Sequence, residues 1–77
     1  MEEKTMSLEE AYADFMRWAF SEEIRQTFTV DNRHYFHKTA SDIYAGRCGS
    51  QRIKNILNNF GGGRYVVSET VTLKTES

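Results

Sequence analysis

The sequence contains no proline and a single cysteine, Cys48, and it lacks any long apolar run. A lone cysteine cannot form an internal disulfide, which agrees with a reducing compartment. No apolar run approaches the roughly 18 residues that a membrane-spanning helix needs, and no charged segment followed by an apolar one marks a secretory signal. We therefore expect a cytoplasmic location and no membrane contact.

The 77 residues are 39% hydrophobic and 13% aromatic, which is enough apolar material for a compact core and argues against wholesale disorder. A chain of this length fits one small domain. The absence of proline and the start at Met1 predict a small self-standing protein, and the alternative is a domain of a longer chain. We expect a single domain over residues 1–77, with an ordered core from about residue 7 to residue 74.

Charge is unevenly distributed along the chain, although the net charge is only −1. Residues 1–26 carry three basic and seven acidic side chains, whereas residues 27–64 carry six basic and two acidic ones. The middle of the chain can therefore have a positive potential that the whole-chain charge hides. The same pattern is also typical of a solvated acidic helix beside an ordinary polar segment.

Two sequence patterns predict the first helix: a cap at its start and an apolar stripe along one face. Ser7 and Glu10 have the spacing of a capping box. The apolar residues that follow have the i, i+3, i+4, i+7 spacing of an amphipathic helix. They are Leu8, Ala11, Tyr12, Phe15, Met16, Ala19 and Phe20. A break or bend is expected near Ser21, which could cap a new helix.

Residues 27–46 allow two interpretations. The alternation in 27–30 and the turn pair 31–32 favour a short strand followed by a helix that opens at Thr39, with Asp42 completing the cap. The competing interpretation makes Asp31 an N-cap and runs one helix over residues 32–46. In both, Gly46 and Gly49 end the helix.

A further helix is expected over residues 50–60, with Ser50 as its cap and the glycines 61–63 as its stop. Residues 64–73 follow as strand material, either as one long strand or as a hairpin that turns near Ser68 and Glu69. The fold class is therefore α+β, with three helices and a short β element. The expected core is Tyr12, Phe15, Phe20, Ile43, Ile53, Leu57, Phe60 and Val67.

This order of elements over residues 8–74 resembles the winged helix-turn-helix superfamily. Ala40 and Ile43 occupy the small and apolar positions of the first helix of the pair, and Ile53, Ile56 and Leu57 occupy those of the second. The turn over residues 45–49 is longer than the usual three or four residues. No Gly or Asn marks the tip of a wing. The resemblance implies a small DNA-binding protein whose recognition helix is 50–60, acting as a regulator or as an accessory factor in recombination or replication.

If the helix 50–60 enters a major groove, its early outward residues can reach base edges, because amides pair with adenine and Arg pairs with guanine. These residues are Gln51, Arg52 and Asn55. Basic side chains around them, with the N-terminus of the helix at Ser50, suit phosphates. These are Arg47, Lys54, Arg64 and Lys38. The expected partner is double-stranded DNA, bound by a homodimer whose twofold symmetry mirrors two half-sites.

The alternative function is a protein-binding module or inhibitor that acts through the acidic N-terminal helix or the C-terminal strand. No catalytic set is identifiable, so no enzyme and no cofactor is expected. His34, His37 and Cys48 lack the spacing and the fourth ligand of the known zinc patterns, and Cys48 lacks a base partner. Gly61–Arg64 follows a helix, so we interpret it as a C-cap, and Trp18 lies at the edge of the core.

Overall fold

The computed structural model describes residues 3–74 and contains three α-helices and a three-stranded antiparallel sheet, so the fold class is α+β as predicted. The strands are β1 (Glu3–Met6), β2 (Tyr65–Val67) and β3 (Val71–Lys74), and they lie in the order β1-β3-β2. The helices are α1 (Leu8–Ala19), α2 (Val30–Tyr44) and α3 (Ser50–Phe60). None of the helices in this part of the chain is both long and apolar enough to cross a bilayer.

Helix α1 begins where the capping box predicts. The Ser7 hydroxyl accepts a hydrogen bond from the Glu10 N–H at 3.2 Å, and the Glu10 carboxylate accepts one from the Ser7 N–H at 3.0 Å. Two otherwise unpaired N–H groups at the helix start are thus satisfied. The helix ends at Ala19, which confirms the predicted break, and a short 3-10 helix (Arg25–Thr27) leads to α2.

The short strand predicted over residues 27–30 is wrong, and so is the helix start at Thr39. Helix α2 begins at Val30 because the Thr29 hydroxyl accepts a hydrogen bond from the Asn32 N–H at 3.0 Å. The structure is closer to the competing interpretation of one long helix, but the cap is Thr29 and not Asp31. Thr39 lies in the middle of α2 and is fully buried.

Helix α2 ends as predicted at the first glycine of the turn. Gly46 has a φ of +74°, which L side chains rarely adopt. Its N–H donates to the Ile43 carbonyl at 3.1 Å, while the Arg47 N–H donates to the Asp42 carbonyl at 2.8 Å. This is the Schellman pattern of a helix C-terminus. The N-cap of α3 is Gly49 and not Ser50, since Ser50 is already the first helical residue.

The C-terminal segment forms a hairpin and not one long strand. Its turn is stabilised by Ser68, whose N–H and hydroxyl both donate to the Thr70 carbonyl, at 2.9 and 3.1 Å. Strand β3 pairs with β2 on one side and with β1 on the other. Strand β1, which was not predicted, aligns Glu3 with Lys74 and Met6 with Val71.

The core lies between the helices and the sheet and is centred on an aromatic cluster. The rings of Phe15, Phe28 and Phe60 surround Phe36, with centroids 5.0, 5.3 and 5.1 Å from it in edge-to-face arrangements. Of the eight predicted core residues, Tyr12, Phe15, Ile53 and Leu57 are buried, and Phe20, Ile43, Phe60 and Val67 are partly buried against them. The buried residues missing from that prediction are Met6, Ala11, Ala19, Phe36, Ile56, Tyr65 and Val71.

Candidate nucleic-acid interface

The outward side of α3 carries amide side chains and no acid. We call this surface the amide face; it consists of Gln51, Asn55, Asn58 and Asn59, all of which are exposed. The burial of Ile53, Ile56 and Leu57 on the opposite side of the helix fixes this orientation. The Gln51 amide donates to the Asn55 side-chain oxygen at 3.0 Å, so the first two amides are linked across one helical turn.

Lys54 lies on the flank of the amide face and is half-buried. Lys54 forms no ion pair with any carboxylate in the part of the chain that the structure describes. Its ammonium is therefore available to an external anion. This placement agrees with the phosphate contact that the sequence predicts for Lys54.

Three cations surround one carboxylate beside the start of α3. We call this group the Asp42 cluster. The Arg52 guanidinium binds the Asp42 carboxylate at 2.8 Å, with Arg47 at 3.5 Å and Lys38 at 3.8 Å. The hydrogen bond from Arg52, together with the nearby cationic charges, holds the pKa of Asp42 below its usual range. With three positive charges on one negative charge, the cluster keeps a net positive charge.

The members of the Asp42 cluster differ in their freedom to move. The side chains of Lys38 and Arg47 are 66% and 70% exposed, so their ion pairs are surface pairs that contribute little to stability. The side chain of Arg52 is 29% exposed, and its guanidinium also lies 5.3 Å from the ring centre of Tyr35. Arg52 therefore links α2 to α3, whereas the sequence interpretation had placed it outward for base contact.

Arg64 is held elsewhere in the molecule, on α1. Its guanidinium lies 3.4 Å from the Asp14 carboxylate and 4.9 Å from the ring centre of Trp18. Asp14 also accepts a hydrogen bond from the Tyr65 hydroxyl at 2.8 Å. Burial and this hydrogen bond raise the pKa of Tyr65 above its ordinary value. The Arg64 side chain therefore fixes the start of β2 to α1, and the predicted phosphate contact is not supported by its placement.

The N-terminus of α3 has acidic neighbours. Ser50 and Cys48 line a shallow depression together with Glu9 from α1 and Glu69 from the turn of the hairpin. Carboxylates at this position repel a phosphate that approaches the free N–H groups of the helix. Lys38 and Arg47 thus lie in the Asp42 cluster beside the start of α3, and Gln51, Lys54 and Asn55 lie on α3 itself, whereas Ser50 shares its depression with two acidic residues.

The other candidate chemistries gain no support from the geometry. Within residues 3–74, no three His, Cys, Asp or Glu side chains converge as metal ligands do. Cys48 is half-buried, and burial raises the pKa of its thiol, which opposes thiolate chemistry. Trp18 is partly buried beside Phe15 and Phe28, as expected for the edge of the core.

The C-terminal hairpin offers only a short free edge to which a partner strand could pair. Strand β3 already pairs on both sides, so the outer edge of the hairpin is β2, which is three residues long. Two of the three acids of α1 are engaged, since Glu10 caps the helix and Asp14 binds Arg17, Arg64 and Tyr65, while Glu9 is exposed.

Comparison of the chain with protein-family models, with curated proteins and with solved structures gives no match.

Proposed function

We propose that this protein binds double-stranded DNA and that the amide face of α3 lies in the major groove. The observation that carries the proposal is the row of exposed amides with no acid, beside Lys54, for which the described part of the chain shows no ion pair. Each amide has both donors and an acceptor, and Asn and Gln are the side chains that pair bidentately with adenine. A helix of this kind has the diameter that the major groove admits.

Base contacts are assigned to Gln51 and Asn55, which lie on the first two turns of α3 and are exposed. Phosphate contacts are assigned to Lys54, Lys38 and Arg47. The last two can exchange a weak surface ion pair for a phosphate, because each already shares the Asp42 carboxylate with other cations.

In this proposal Arg52 does not contact DNA but holds α3 in place. Its ion pair with Asp42 and its stacking on Tyr35 fix α3 against α2, which sets the angle at which the amide face is presented. Arg64 has no DNA role, because Asp14 and Trp18 hold it on α1.

The test is a fluorescence-anisotropy titration of a labelled duplex over about 50 to 300 mM salt, first with mixed sequence and then with a site obtained by selection. The logarithm of the wild-type association constant should fall linearly with the logarithm of the salt concentration. Lys54→Ala should flatten the slope by about one unit, and Asn55→Ala should cost about 1–3 kcal/mol on the preferred site.

Two controls match these variants in residue type. Lys4→Ala removes an exposed Lys on β1, and Gln26→Ala removes an exposed amide in the short 3-10 helix. Both should bind like the wild type. Absence of salt-dependent duplex binding at low ionic strength overturns the proposal, as does an equal effect of Lys4→Ala and Lys54→Ala.

A further inference from the structure

A groove of about 430 Å³ runs between α1 and α2. Its floor and walls are largely apolar, with Ala13 and Met16 from α1 and Ala40, Ile43 and Tyr44 from α2. Tyr44 is 93% exposed. The exposed ring beside this apolar groove offers apolar area that a partner can cover.

The charges along this groove are complementary to themselves. Glu9 and Arg17 line it on α1, four residues before and four residues after Ala13. They are separated by about 12 Å along the helix axis. A twofold axis through Ala13 sets two α1 helices antiparallel, and it places Glu9 of each copy opposite Arg17 of the other. The small side chain of Ala13 at the crossing allows the two helices to approach closely.

The internal partner of Arg17 does not prevent this exchange. Arg17 lies 3.6 Å from Asp14 and its side chain is 75% exposed, so the pair is a weak surface ion pair. Asp14 keeps two other partners, Arg64 and Tyr65, when Arg17 leaves it. Glu9 is exposed on the first turn of the helix.

We propose that the groove between α1 and α2 is the interface of a twofold homodimer in which two α1 helices pack antiparallel. Tyr44 of each copy covers apolar surface of the other, and the two Glu9–Arg17 pairs fix the direction of packing. A twofold contact uses the same patch on both copies, which is the property that this row of residues has. The inference does not depend on the function proposed for α3, because its interface lies on α1 and α2.

The experiment is sedimentation equilibrium of the wild type and variants from about 5 to about 200 micromolar, a range that covers the affinity expected of a small interface. The wild type should form a species of twice the 9.0 kDa monomer mass. Tyr44→Ser should raise the dimer Kd about tenfold or more, because it removes an aromatic anchor from both halves. Val30→Ser is the matched control, since Val30 is a 71% exposed apolar residue of α2 outside the groove.

Charge reversal tests the antiparallel arrangement. Glu9→Arg alone and Arg17→Glu alone each place like charges opposite one another, so both should weaken the dimer. The double variant restores opposite charges in the exchanged positions and should recover most of the affinity. A helical partner of another kind in the groove predicts no such recovery. Circular dichroism melts establish that each variant is folded.

Four outcomes contradict parts of this proposal. A wild type that stays at 9.0 kDa across the whole range overturns the homodimer. A dimer that Tyr44→Ser leaves intact lies on a different surface. Single reversals that disrupt the dimer without recovery in the double variant overturn the antiparallel packing. Equal weakening by Val30→Ser and Tyr44→Ser shows general loss of solubility or fold and overturns the assignment of the groove.

Discussion

Replacement of Phe36 by Ala should remove most of the stability of this domain. Phe36 is fully buried and lies edge-to-face with three other Phe rings at 5.0 to 5.3 Å. Loss of a buried Phe side chain costs about 3–5 kcal/mol, which includes the cavity that remains. A single core in a chain of this size rarely supplies more than about 3–5 kcal/mol in total. The variant should therefore be largely unfolded in buffer.

Urea unfolding followed by the fluorescence of Trp18 is the assay. Its ring lies 6.0 Å from Phe15 and from Phe28, so it reports directly on this cluster. Phe36→Leu keeps much of the volume and should cost about 1–2 kcal/mol. Val30→Ala, on the exposed start of the same helix, should change stability by less than about 0.5 kcal/mol. A Phe36→Ala protein with the midpoint of the wild type refutes this account of the core.

Four further predictions concern the ends of helices and the dependence of stability on pH. Gly46→Ala should lower the stability measured in thermal melts by about 1–2 kcal/mol because of the positive φ alone, since no atom lies near an added Cβ. Gly49→Ser should raise the stability by a few tenths of a kcal/mol, because the Ser hydroxyl can cap α3. The hydrogen bond from Arg52 lowers the pKa of Asp42 in the folded state, so the stability that Asp42 contributes is complete above its unfolded pKa of about 4 and is lost as pH falls through the lower folded pKa. Asp42→Asn removes both this carboxylate and its ion pair with Arg52. Its melting temperature should therefore fall less on acidification than that of the wild type. Burial raises the pKa of Tyr12, whose hydroxyl donates to a buried carbonyl, so stability should fall as pH rises above about 10, and less so in Tyr12→Phe.

The parts of the fold that the sequence predicted correctly are those with local signals. Helix α1 has both a capping box and a continuous apolar stripe, and α3 has a regular apolar face between glycines. Helix α2 buries only Phe36 and Thr39, so its stripe was too sparse to show its true start. Strand β1 was missed because its pairing partner lies at the opposite end of the described chain.

The candidate site was predicted in part, for the same physical reason. The exposure of Gln51 and Asn55 follows from helical periodicity, which is local. The carboxylates that hold Arg52 and Arg64 come from other elements, and no spacing rule connects Asp14 with a residue 50 positions later. Tertiary ion pairs therefore give Arg52 and Arg64 internal partners that no local sequence pattern reveals.

The pairing of β1 with β3 has a consequence for the order in which the molecule folds. All three helices lie between these two strands, so the sheet is completed only when the last strand is available, while the helices can already form from local contacts. Closing so long a loop is a late and slow event compared with helix formation. A nascent chain should therefore hold helical structure with an exposed sheet-facing surface until Val71–Lys74 has left the ribosome.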